Sequence, residues 1–159
     1  MGPVASALIG IVVLAWVIYN QLRPRVVDAR RLRIAGALGI VGVVQVASTL
    51  SGHPASAAAL GLLVVGLAIG AGLGVWRARS AQVWTAPDGR VMTQGSRFTA
   101  GLWIVGIVAH VGLDLLAGVV DPASAPVDAA SILLFVAVSI GVQALVTLNR
   151  GRALAPAGV

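Results

Sequence analysis

His110 and Asp114 stand four residues apart in "AHVGLD" (109–114), inside a run otherwise made of Val, Ile, Leu, Ala and Gly. On a helix that spacing puts the imidazole and the carboxylate on one face, one turn apart, where the carboxylate can accept a hydrogen bond from the ring. An ionised Asp deep in hydrocarbon costs roughly 2.5–3.5 kcal/mol on insertion scales, so such a pair is expected to face the interior of a helix bundle. Two roles fit. One is a proton-accepting or ligand-holding site, as in a small carrier; the other is a polar cluster that sets helix register. Gln45, Ser48 and Thr49, in an earlier apolar run at similar depth, are expected beside the pair.

The elements that must position these residues follow from composition. The 159-residue chain is 58% hydrophobic and 10% charged, against roughly 25% charged for a soluble domain. Too few charges are available to cover a water-facing surface. Five apolar runs approach the roughly 20 helical residues that cross a bilayer core: about 3–22, 33–51, 56–76, 99–119 and 127–148. The expected fold is therefore an all-α membrane protein of five transmembrane helices in a single domain. The first run has no basic n-region and no small-residue cleavage site before the first loop, and reads as a retained span.

All eleven basic residues are Arg, and the net charge is +6. Five lie in "RPRVVDARRLR" (23–33), four between 77 and 97, and two in "NRGR" (149–152). The other two connections, 51–56 and 121–128, hold none. With five spans every Arg falls on one side. The positive-inside rule makes that side cytoplasmic, with the N-terminus outside and the C-terminus inside. Arg23, Arg25, Arg30, Arg31, Arg33, Arg77 and Arg79 are thus expected to set topology and to meet anionic headgroups. Trp16, Tyr19, Trp76 and Trp103 fall near the same ends of their spans, where amphipathic rings favour the interface. No recognition helix or arginine–aromatic face points to nucleic acid.

Within the long basic connection, "QVWTAPDGRVMTQG" (82–95) alternates on both sides of Pro87-Asp88-Gly89, residues that favour a tight turn. This predicts a short cytoplasmic β-hairpin. A lone two-stranded hairpin is marginal in water, so it is expected to lean on the membrane surface or on the other basic loop. Gly66, Gly70 and Gly74 recur every four residues and make a smooth stripe for close helix packing, inside the bundle or across a homodimer. "RIAGALGIVGVVQV" (33–46) also echoes "RFTAGLWIVGIVAH" (97–110), the mark of two like-oriented helical hairpins.

Other chemistry is sparse. There is no cysteine, which removes disulfides, thiolate metal sites and thiol relay within this chain. His53, Asp121 and Asp128 form at most a loose set in the arginine-free loops, and no metal site is expected. No cofactor is expected either; bis-histidine haem ligation would need two copies of His110 across a dimer. No nucleophile elbow, zinc-protease, Walker or dinucleotide motif is present. "GALGIVG" (36–42) lies within a span with no strand before it, and reads as packing.

The pairing of "QLRPRVVDARRLR" after a first span with "WRARSAQVWTAPDGRVMTQGSRFTAGLW" after a later one resembles the CcdC-like family of small bacterial multi-pass membrane proteins. The resemblance covers most of residues 10 to 115. It implies the same topology in a bacterial cytoplasmic membrane, and no particular reaction, because that family has no established activity. Its members often carry an arginine where this chain has His110. The leading expectation is a non-enzymatic accessory or binding protein, with a membrane-protein partner or a second copy as company. A proton-coupled carrier built on His110 and Asp114, or a membrane enzyme acting on a lipid or isoprenoid, are the alternatives.

Overall fold

The computed structural model describes residues 19–52 and 55–154, apart from the side chains of residues 124–126, 128 and 129. The predicted first span lies outside the described residues except for a helical end at 19–22; Trp16 and His53 lie outside them too. The described chain then runs β1 (Arg25–Val26), α1 (Arg30–Gly52), α2 (Ala57–Ser80), β2 (Gln82–Thr85), β3 (Val91–Gln94), α3 (Arg97–Val120), a 3-10 turn (Pro122–Ser124) and α4 (Ala125–Leu154).

Among the described residues four helices are long and apolar enough to cross a membrane: α1, α2, α3 and the Ala130–Leu154 part of α4. Three of their ends are set by local polar chemistry. Ser56 accepts a hydrogen bond from the Ala59 amide at 3.2 Å and Ser96 one from the Thr99 amide at 3.3 Å, the N-cap arrangement at the starts of α2 and α3. Asp28 does the equivalent for α1, accepting from the Arg30 amide at 2.9 Å. The helices extend past the predicted runs at their arginine-bearing ends, because backbone hydrogen bonding continues after the side chains leave hydrocarbon.

α4 is the organising element: it packs along α1 and α2 and also touches α3. The contacts are close where glycine permits. A Cβ on Gly42 of α1 would lie 2.8 Å from the Leu134 amide nitrogen, and one on Gly74 of α2 would lie 2.6 Å from the Ser139 carbonyl oxygen. At Gly70 it would meet the Phe135 ring at 3.0 Å, and at Gly66 only Leu113 Cδ1 at 3.4 Å. The glycine stripe of α2 is therefore occupied from within the chain, by α4 at two positions and α3 at the third. Gly42 and Gly106, matched in the echo between α1 and α3, have different neighbours: Gly42 lies against the Leu134 backbone of α4, and Gly106 against Leu73 of α2 at 3.3 Å with the Phe135 ring at 3.8 Å.

The hairpin forms around a turn in which Gly89 takes φ +80°, with Ala86 and Arg90 closing it at 2.8 Å. Gly89 serves here because a side chain resists that backbone region. The hairpin does not stand alone. β1 pairs antiparallel with β3, Arg25 opposite Thr93 and Val26 opposite Met92, giving a three-stranded sheet in the order β1-β3-β2. Gly95 N–H donates to the Gln21 carbonyl at 2.8 Å, and Gln94 Nε2 to that of Leu22 at 2.8 Å. The sheet thus joins the two basic connections. Arg150 of α4 donates to the carbonyls of Ala78, Arg79 and Ala81, satisfying the C-terminal end of α2. All the arginine-bearing connections gather at this one end of the bundle. At the opposite end Asp121 accepts from the amides of Ser56 at 3.0 Å and Ala123 at 3.2 Å, which ties the two arginine-free connections together.

Candidate functional site

Two polar regions lie inside the bundle. The first holds the residues singled out by spacing. His110 is 5% exposed and stacks on Phe135 of α4, with ring centroids 4.7 Å apart and planes 20° apart. Its Nε2 stands 3.5 Å from Asp114 Oδ2, a contact without hydrogen-bond alignment. Asp114 is half-buried, and Ser131 of α4 joins the two around a cavity of about 20 Å³ between α2, α3 and α4. That is room for one water molecule.

Gln45, Ser48 and Thr49 are elsewhere. α1 lends no residue to this cavity. It buries only the narrow stripe Ala35, Gly42 and Val46 against its neighbours, which leaves Gln45 and Ser48 exposed and Thr49 half-buried. The hydroxyls of Ser48 and Thr49 turn back on the Gln45 carbonyl, each at 2.8 Å, so their polarity is absorbed within their own helix. The face of α1 that carries them points away from the pair. In the loose set of the arginine-free connections, Asp121 serves the loop contacts above. His53 and the Asp128 side chain lie outside what the structure describes.

The second region sits at the arginine-bearing end, and spacing did not reveal it. Arg77, expected among headgroups, is 1% exposed. Its guanidinium lies 4.0 Å from the centroid of the Trp103 ring and donates from Nη2 to Ser139 Oγ, which passes a 2.9 Å hydrogen bond to the Gly70 carbonyl. Trp103 is accordingly a core ring, 6% exposed, and not part of an interfacial belt. Trp76 does stay exposed, edge-on to Phe98 at 5.6 Å. Arg79, Arg30, Arg33 and Arg23 are exposed as expected, Arg23 lying over the Tyr19 ring at 4.4 Å.

Beside Trp103 opens a cavity of about 190 Å³, bounded by the end of the first helix, β1 and its loop, α1, β3, α3 and α4. Arg25, Arg31, Gln21, Gln143, Thr147 and Trp103 give it its polar character. Gln21 and Gln143 face each other at 3.4 Å, and Arg25 donates to the Asn20 carbonyl at 3.1 Å and to Gln21 Oε1 at 3.2 Å. Arg25 Nε and Trp103 Nε1 are buried and have no hydrogen-bond partner among the described residues. Burial holds the Arg25 guanidinium down to about 9, and repulsion from Arg31 adds to the shift while Asp28 opposes it. Asp28 is the one carboxylate on the wall, and one of its oxygens is engaged by the α1 N-terminus. The cavity is therefore rich in donors and positive charge, with apolar walls from Ile34, Ile140 and Ala144.

These helices and their buried polar end define a multi-pass membrane protein of helical-bundle class. Beyond that class the comparisons are silent: no protein-family model, curated protein or solved structure matches the chain.

Proposed function

We propose that this chain is a non-enzymatic binding protein of a bacterial cytoplasmic membrane, with its arginine-bearing end inside and the 190 Å³ cavity at that end as its ligand site. The first span then completes five crossings and puts the N-terminus outside, as the charge distribution and the CcdC-like resemblance both favour. The observation that supports binding is the donor-lined cavity, whose wall carries two buried N–H groups, Arg25 Nε and Trp103 Nε1, that have no acceptor among the described residues. Buried polar groups are ordinarily paired, so unpaired donors on a cavity wall suit an acceptor-bearing ligand. Nothing in the cavity resembles a nucleophile with an adjacent base, and binding needs none.

The reading is tested by native mass spectrometry of the full chain released gently from the membrane. A bound mass is expected to be retained on the wild-type protein and lost on Gln143→Leu, which removes a polar wall without touching an arginine. Equal retention by both proteins places the bound mass outside the cavity and refutes the site; its absence from the wild type refutes the function.

A proton-coupled carrier is the second reading, favoured by the burial of His110 against Asp114 and Ser131 around a water-sized space. On that reading Asp114→Asn abolishes proton movement into proteoliposomes holding the full chain. Unchanged proton movement would leave the pair as a packing element alone.

A further inference from the structure

The geometry points to a phosphate group as what the arginine-end cavity binds, carried on a membrane amphiphile whose apolar part remains in the bilayer beside Ile34. This rests on the binding reading above and names its ligand class.

Four features combine. The cavity presents two guanidiniums, Arg25 and Arg31, from the strand and from the first turn of α1. Planar guanidiniums match the oxygen spacing of phosphate, and their charge-assisted hydrogen bonds are roughly twice as strong as neutral ones. Trp103, 6% exposed and on the cavity wall, offers Nε1–H with no partner among the described residues, and Arg25 Nε–H is in the same condition. An acceptor with several oxygens suits donors of this kind and offsets the repulsion between the two arginines that line the cavity. The cavity, at about 190 Å³, is smaller than the roughly 300–1,000 Å³ pockets that enclose drug-sized ligands. It has room for a headgroup and not for acyl chains. Finally, Ile34 on the wall is 47% exposed, one turn inward from Arg30 and Arg31 on a helix long enough to span. In a bilayer that face meets acyl chains, so an amphiphile can enter sideways, head first.

The experiment uses the full chain in an uncharged maltoside detergent, with binding read by native mass spectrometry and by thermal shift. Phosphatidic acid and phosphatidylglycerol are the anionic probes. Diacylglycerol and phosphatidylcholine are the neutral and zwitterionic ones, and glycerol phosphate and inorganic phosphate test for a soluble source. One phosphatidic acid or phosphatidylglycerol per chain is expected, with diacylglycerol and phosphatidylcholine at least tenfold weaker. Arg31→Gln, at a side chain that donates no hydrogen bond among the described residues, is expected to weaken binding about tenfold, the loss of one charge-assisted contact. Arg79→Gln, exposed at the same end but off the cavity, leaves it unchanged. A matching melting temperature without ligand shows that Arg31→Gln is folded, and Arg31→Lys, which keeps the charge but not the fork, should fall between the two.

Tight binding of glycerol phosphate or inorganic phosphate, with no gain from acyl chains, overturns the amphiphile and assigns a soluble phosphate compound. Diacylglycerol binding as well as phosphatidic acid, insensitive to Arg31→Gln, overturns the phosphate assignment while the binding reading stands. Failure of every probe against a protein that still carries its own bound mass from the membrane does the same. No bound mass and no probe binding removes both.

Discussion

Gly74→Val is expected to destabilise the purified protein by about 1–3 kcal/mol, the range for forcing extra carbon into a packed interior. The reason is the neighbour's identity. A Cβ at this position would sit 2.6 Å from the Ser139 carbonyl oxygen and 3.3 Å from both the Gln143 nitrogen and Val142 Cβ. Two of those three atoms are α4 backbone, which cannot swing aside as a side-chain tip can. α2 and α4 must separate, and the first casualty is the Ser139 hydroxyl that receives Arg77. Gly72→Ala is the matched control, since a Cβ there meets nothing within 4 Å. It should be neutral or stabilising by up to about 1 kcal/mol through helix propensity. Thermal unfolding of the two variants in one detergent separates them; equal melting temperatures would refute the α2–α4 contact.

Trp103→Ala should cost about 3–5 kcal/mol, as large-to-small changes at buried aromatics do. The ring carries two roles at once. It fills the space between α3 and the cavity, and it covers the guanidinium of Arg77 at 4.0 Å. A desolvated cation over an indole gains about 2 kcal/mol that a methyl group cannot replace. Trp103→Phe retains a ring face and should lose less than half as much stability, while still removing the buried indole N–H. Unfolding measured for both variants checks the order; a Phe variant as unstable as the Ala variant would show that stacking on Arg77 contributes nothing.

How far the fold was legible can be judged from single residues. The apolar runs announced α1 to α4, and Pro87-Asp88-Gly89 announced the β2–β3 turn, because both signals are local. β1 is two residues long, and its partner lies more than sixty residues away. Only the Val26-Val27 pair, β-branched and set between Pro24 and Asp28, hinted at it. His110 and Asp114 were found because their spacing is itself the geometry. Gln45, Ser48 and Thr49 were misplaced because depth in a bilayer does not say which face a helix turns to which neighbour. α1 lies along α4, a pairing that chain order does not suggest.

The place of Arg77 near a span end suggests a surface charge. A subtler signal was present: Arg77 follows Gly74 by three residues and so continues the Gly66–Gly70–Gly74 stripe. A cation on the small-residue face of a helix faces the bundle. The donor-lined cavity had no such signal, since its walls come from six elements that only the assembled fold brings together.

The pairing of α1 and α2 with α4 also orders biogenesis. Ribosomes deliver α1, α2 and α3 before α4 exists, so a nascent chain paused ahead of residue 125 holds these three helices without their common keel. Until the last of the four emerges, the glycine grooves of the earlier ones stay lined by lipid, and the guanidinium of Arg77 has no serine to receive it.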